Sequence, residues 1–164
     1  MAELPKLYCV IPFRQAGTQV EFCLVRPLPT MAHWDFPKTQ VLDGECGRSA
    51  VLREVEATLG LIGLLEWEAL GEYRDSRGST LQSIVFLMRV ENGHDESVRL
   101  TTPTRRWCLA EEVHARIRQK PLRRMVNEAL RRMRQYSRGI DTRCADSYPA
   151  VSGIDPTSAE IDLV

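Results

Sequence analysis

Apolar residues recur along this chain in two rhythms, and the change from one to the other marks its elements. Residues 7–13 and 20–25 are rich in β-branched and aromatic side chains, the signature of strands. Between them Gln15-Ala16-Gly17-Thr18 supplies turn chemistry, so the spacing predicts a β-hairpin. Pro27 and Pro29 end the second strand, because neither can donate to a ladder. The rhythm then becomes helical: Val51, Leu52, Val55 and Leu59 predict a helix over 48–59, with Gly60 placed to end it.

Strand character returns at 67–74 and 81–90, around the polar loop Asp75-Ser76-Arg77-Gly78. The nearly unbroken apolar run 83–88 predicts a strand buried on both faces. Asn92-Gly93 reads as a turn, and 105–109 as one more strand centred on Trp107. After Ala110 the pattern is helical again. Pro121 suits a first helical turn, and Leu122, Val126, Ala129, Leu130 and Met133 mark one apolar stripe. The order strands, helix, strands, helix predicts an α+β sandwich with a mixed β-sheet over residues 1–138. Residues 139–164 lack periodicity, and Asp141, Asp146, Asp155, Glu160 and Asp162 outnumber Arg143. They read as an acidic, flexible C-terminal tail.

Composition narrows the class more than it identifies one. A chain of 164 residues has room for a single compact domain, and 22 basic against 22 acidic residues advertise no polyanionic partner. No apolar run approaches the ~18 residues of a spanning helix, and the N-terminus lacks signal-peptide architecture, so no membrane partner and a cytoplasmic location are expected. Five cysteines without a C-x-x-C spacing argue against a disulfide framework or a zinc site, and His33, His94 and His114 have no ligand spacing. Charge is unevenly spread, however. Residues 116–138 carry nine basic side chains and one acid, Glu128. Arg123, Arg124, Arg131 and Arg132 could meet RNA or an acidic protein, but no aromatic side chain interleaves them to stack on bases, and the acidic tail is the favoured counter-charge.

The most specific stretch starts at Trp34-Asp35-Phe36-Pro37-Lys38 and ends at Gly60-Leu61. It resembles the Nudix hydrolase family, whose box reads G-x5-E-x7-R-E-U-x-E-E-x-G-U, with U a bulky aliphatic residue. Glu45 is followed at the family spacing by Arg53-Glu54 and Val55, and Gly60-Leu61 closes the pattern. The upstream Trp-Asp-Phe-Pro-Lys resembles the diadenosine and diphosphoinositol polyphosphate hydrolases of the family. Downstream, Arg106-Trp107-Cys108-Leu109-Ala110-Glu111-Glu112-Val113 resembles its strand-to-helix ending. The resemblance covers residues 5–136 and implies a Nudix-type α/β/α sandwich.

The box is degenerate. The paired Glu-Glu that usually ligates Mg²⁺ falls on Ala57 and Thr58, and the opening Gly falls on Thr39. At ~100° per residue, positions 54, 57 and 58 share one helix face, so this chain aims one carboxylate, one methyl and one hydroxyl where relatives aim three carboxylates. Glu56 points nearly the opposite way. The resemblance implies Glu54, Glu45 and Arg53 as catalytic-site residues, with Glu54 the remaining metal ligand for a weakly held Mg²⁺ or Mn²⁺. It implies Lys38, Tyr73 and Trp34 on the substrate side, whereas Gln82 stands where some relatives carry a basic residue. Glu91, Asp95 and Glu96 are the nearby candidates for a general base. The expected function is that of a very weak hydrolase or non-catalytic binder of a nucleotide or other phosphorylated ligand. Two alternatives stand beside it: an active Mg²⁺-dependent hydrolase recruiting ligands from outside the box, and an interaction protein acting through its basic helix and acidic tail.

Overall fold

A computed structural model describes residues 6–26, 32–74, 81–93 and 104–143. The expected hairpin is formed by β1 (Lys6–Ala16) and β2 (Gln19–Arg26), turning at Gly17 with φ 62°. Their ladder runs only from Phe13↔Phe22 to Ala16↔Gln19, and beyond it the two strands part. The segment after β2 fills the gap. Asp35 and Val25 exchange backbone hydrogen bonds of 2.9 and 2.8 Å on the β2 side. On the β1 side, β3 (Lys38–Thr39) pairs with Cys9 and Tyr8, and the Val10 N–H donates to Pro37 O at 3.1 Å. Pro12 lies where β1 has no β2 partner, so its missing N–H costs no ladder bond there.

The helix α1 (Gly47–Leu59) matches its periodicity: Val51, Val55 and Leu59 are buried, and Gly60 ends it at φ 65°. After it come β4 (Leu61–Leu65), β5 (Gly71–Arg74), β6 (Gln82–Gly93), β7 (Thr104–Leu109), α2 (Ala110–Arg116) and α3 (Lys120–Arg143). The sheet order is β4-β6-β1-β2-β7, with β3 on β1 and β5 also on β6. Only the β1–β6 pairing among these is parallel, so the sheet is mixed. β6 runs along the middle, and Val85 to Met88 are buried, as an apolar run covered on both faces should be.

One apolar cluster joins Val10, Cys23, Val25, Phe86 and Met88 of the sheet to Val51, Val55 and Leu59 of α1. Each such side chain contributes about 1.5–3 kcal/mol on burial. Val113 and Ile117, together with Leu122, Met125, Val126 and Ala129 of α3, are buried as well, which completes a helix–sheet–helix sandwich of mixed α+β class. The Leu109 N–H donates to Glu112 Oε2 at 2.9 Å and starts α2. The described residues up to Arg131 belong to one compact unit and those from Arg132 on to a second. Among the described residues no helix is long and apolar enough to cross a membrane.

Several expectations need correction. The strand placed at 67–74 begins only at Gly71, as β5, and Trp67 stands in the bend between β4 and β5 that leaves it 85% exposed. Leu61–Leu65 escaped notice because Gly60 and Gly63 break the alternation that would mark a strand. Gly63 fits here because β4 shifts register beside it and a Cβ at this position would run into Arg89 O. Asn92-Gly93 is not a turn; both lie in β6, where Gly93 pairs with Leu61. The basic stretch is broken at Ile117–Gln119 into α2 and α3, and α3 runs from Lys120 to Arg143. The Asp75–Gly78 loop and tail residues 144–164 lie outside the described residues.

Candidate functional site

Residues 40–54 are held by one carboxylate. Arg53 grips Glu45 through Nε at 2.8 Å and a terminal nitrogen at 3.1 Å, a fork that fits a carboxylate. Glu45 Oε2 also accepts the Leu42 N–H at 2.9 Å, and Arg53 reaches Gln40 O at 3.3 Å. These bonds tie the loop before α1 to the middle of the helix. They hold the Glu45 carboxyl below its ordinary range, chiefly through the Arg53 hydrogen bond. At the helix start, Arg48 donates to the carbonyls of Leu65, Glu66 and Trp67 at 3.4, 2.8 and 3.0 Å. Its guanidinium also lies 5.4 Å from the ring centroids of Trp67 and of Phe86.

The face that would hold a metal is different. Glu54 has its carboxylate 3.6 Å from Arg53, Ala57 is exposed, and the Thr58 hydroxyl donates back to Glu54 O at 2.6 Å. That backbone bond uses the threonine's proton inside the helix. No group of three or more His, Cys, Asp or Glu side chains capable of holding a metal gathers among the described residues. Mg²⁺ bound by one or two carboxylates is common, but several ions clamping one phosphate need more acidic oxygens than this face supplies. The donor set does not fit the metal cluster that the resemblance implies.

A second polar group sits on the segment wedged between β1 and β2. Asp35 accepts the Phe36 N–H at 2.8 Å and the Lys38 ammonium at 2.7 Å, each on its own carboxylate oxygen. The Lys38 ammonium lies 5.6 Å from the Tyr73 ring centroid. Burial opposes the Lys38 charge most strongly, but Asp35, Cys9 and Tyr73 together outweigh it and raise the ammonium's pKa above its ordinary value. Tyr73 is only 6% exposed, and its hydroxyl is buried. Burial pushes the phenol up to about 12.

The order of these elements is shared with solved structures. A *Caenorhabditis elegans* Ap4A hydrolase superposes with a TM-score of 0.65 at 20% identity, over 79% of this chain and 98% of that one. A Nudix hydrolase from *Nitrosomonas europaea* gives 0.62 at 21% identity, over 77% and 88%. The chain has the Nudix fold. The Nudix domain of *Shewanella oneidensis* NrtR, solved with ADP ribose, matches at 0.61 and 15% identity, over 79% and 90%. No protein-family model and no curated protein matches the sequence.

On the Nudix fold the predicted residues separate into two groups. Glu45, Arg53 and Glu54 form one charged chain. Lys38 and Tyr73 form the other, with Asp35. Trp34 packs elsewhere, its ring 5.2 Å from the Arg26 guanidinium. Gln82 donates its amide to Glu72. Glu91 is exposed on β6, while Asp95 and Glu96 lie outside the described residues. On α3 Arg124 is exposed, Arg123 and Arg132 are half-buried, and Arg131 pairs with Glu128 at 2.7 Å. Sequence reasoning missed Asp35 and Arg48. The i, i+3 spacing of Asp35 and Lys38 around Phe36-Pro37 was the available signal for the first. Nothing local marks Arg48, whose partners lie 17 to 19 residues away.

Proposed function

We propose that this protein binds a nucleotide or related phosphorylated ligand on a Nudix scaffold and hydrolyses it very slowly or not at all. One observation carries the reading. On the α1 face where acidic oxygens would gather around a metal, Glu54 is paired with Arg53, Ala57 offers a methyl, and Thr58 spends its hydroxyl on Glu54 O. Ligand binding is supported by the second group, where the partly exposed Lys38 ammonium offers a hydrogen-bond donor to a phosphate. The neighbours add that Ap4A and ADP ribose are ligands of the same fold.

The test is phosphate release from nucleoside triphosphates, dinucleoside polyphosphates and ADP ribose, with Mg²⁺ and then Mn²⁺, beside an Ala57→Glu, Thr58→Glu double variant. The wild type should stay near background, and the double variant should bind divalent metal on the order of 100-fold more tightly as two carboxylates join Glu54. Metal-dependent turnover by the wild type that Glu54→Gln abolishes would overturn the reading and favour an ordinary hydrolase that completes its site from outside the box. If neither protein binds any ligand of the panel, the cleft is not a nucleotide site. The basic face of α3, including Arg124 and Arg131, would then be the place to look for an RNA or acidic protein partner.

A further inference from the structure

We propose that the outer edge of β4 is the surface on which this protein meets a second copy of itself, the two β4 strands pairing antiparallel about Gly63.

β4 is the first strand in the sheet order, with β6 on one side of it. Its residues Leu61–Leu65 include neither a charge nor a proline, whereas edge strands ordinarily carry such residues to deter pairing with other chains. The register shift beside Gly63 leaves the extra residue, Glu91, on β6, so β4 itself runs unbroken. Side chains alternate along the strand. Leu61 and Leu65 join the apolar cluster of α1. Ile62 and Leu64 share the opposite face and are 47% and 60% exposed. With Trp67 just past the strand end, three large apolar side chains stand exposed along one margin of the sheet.

The backbone specifies the register. The Glu66 N–H donates to Leu87 O at 2.8 Å, and Leu64 faces Arg89 in the same register. Residues 64 and 66 therefore turn their backbone groups to β6, and Gly63 and Leu65 turn theirs to the outer edge. A second β4 running antiparallel bonds to those outward groups. Centred on Gly63, the pairing sets Gly63 against Gly63 and Leu61 against Leu65 as hydrogen-bonded pairs. Ile62 then stands opposite Leu64, twice over, in the closely spaced pairs without hydrogen bonds. Four aliphatic side chains that a single chain leaves exposed thus meet on one face across the two-fold axis. Leu-Ile-Gly-Leu-Leu reads nearly alike in both directions from its glycine, which makes the contact self-complementary, as an isologous interface must be. Arg48 holds Leu65 O by a long bond of 3.4 Å, and that oxygen keeps a second lone pair for the incoming strand.

Size sets the expected affinity. A covered tryptophan contributes about 150–250 Å². Two copies of Trp67, Ile62 and Leu64, with the paired backbones, come to about 1,000 Å², the lower bound for a specific interface. Such an area suits a reversible dimer with a dissociation constant in the tens of micromolar rather than a permanent one.

Sedimentation velocity on the full chain from about 1 to 200 µM makes the test. The mass should rise from that of one chain toward that of two. Leu64→Lys should raise the dissociation constant at least about tenfold. The same variant should move the melting temperature of the dilute monomer by no more than about 2 °C, because Leu64 is exposed there. Cross-linking checks the register, with Cys46 and Cys144 replaced by serine. Under oxidised glutathione, a mixture of Ile62→Cys and Leu64→Cys chains should form a disulfide dimer at least about fivefold faster than either alone. Opposite residues lie within disulfide reach, whereas a residue and its own copy are about 8 Å apart. A chain that stays monomeric throughout, as it would if its natural partner were a strand of another protein, overturns the proposal. So does a dimer that Leu64→Lys leaves intact. A monomer that loses several degrees in Leu64→Lys would show another segment of the same chain covering β4, and that also overturns it. Equal cross-linking in the mixture and the single variants overturns the pairing about Gly63.

Discussion

The first turns of α1 and the polar face further along the same helix have kept different things. Over the first half of the helix the conspicuous residues are engaged with parts of the chain outside it. Gly47 lies against Tyr8, Arg48 holds three carbonyls at the end of β4, and Arg53 clamps Glu45. On the face of Glu54, Ala57 and Thr58, the bonds close within the helix or one residue away. The first set orients a loop and a helix whatever chemistry follows. The second would matter only if a metal were to be held. The architectural contacts and the positions where the resemblance implies a metal site therefore depend on different side chains.

The largest expected effect lies at Gly47. A Cβ placed there would sit 2.0 Å from Tyr8 Cε1, on a ring stacked against Phe86 with centroids 6.4 Å apart. Gly47→Ala must push the aromatic pair or the helix start, at a cost of about 1–3 kcal/mol. Urea unfolding with an unchanged m-value would measure it. A loss below about 0.5 kcal/mol would mean the helix start gives way easily, and the contrast between the two regions would weaken.

Arg53→Met comes next and carries a pH signature. The Glu45 carboxyl is held below its ordinary value by Arg53 and by the Leu42 N–H. A carboxyl depressed in the folded state adds stability above its unfolded pKa, and loses it as pH falls through the folded value. The wild type should therefore melt a few degrees above Arg53→Met at neutral pH. The gap should shrink as pH falls below the ordinary glutamate range and Glu45 takes up its proton in the folded state. A gap of constant size from neutral to acid would show that Arg53 acts through packing of its stem rather than through Glu45.

What could be read ahead of the structure follows the same division. The hairpin, α1 with its Gly60 stop, and the buried β6 were legible because each rests on local rhythm. β4 was not, because Gly63 interrupts its alternation and only pairing with β6 makes it a strand. Trp67 was assigned to a strand on composition, yet it stands in the bend where Arg48 reaches it across 19 residues. Within the site, Glu45, Arg53 and Glu54 could be named from box spacing. Asp35 was quoted within its motif but given no role. That role depends on the parting of β1 and β2, which lets residues 35–39 lie between them. Long-range register decides such positions, and no short window of sequence contains it.

The smallest effect is expected at Thr58, and its smallness is informative. The hydroxyl bonds the Glu54 carbonyl four residues back, a contact that adds little to a helix whose carbonyl already has a backbone donor to accept. Alanine has the higher helix propensity and gives up no buried partner, since Thr58 is half-exposed. Thr58→Ala should thus change unfolding free energy by no more than about 0.5 kcal/mol in either direction. A loss above about 1 kcal/mol would reveal a structural duty for the hydroxyl, and would explain a threonine there by folding alone. A near-zero change leaves packing with no claim on the position. Thr58 would then be a position that the fold leaves open to other side chains, unlike Gly47 at the start of the same helix.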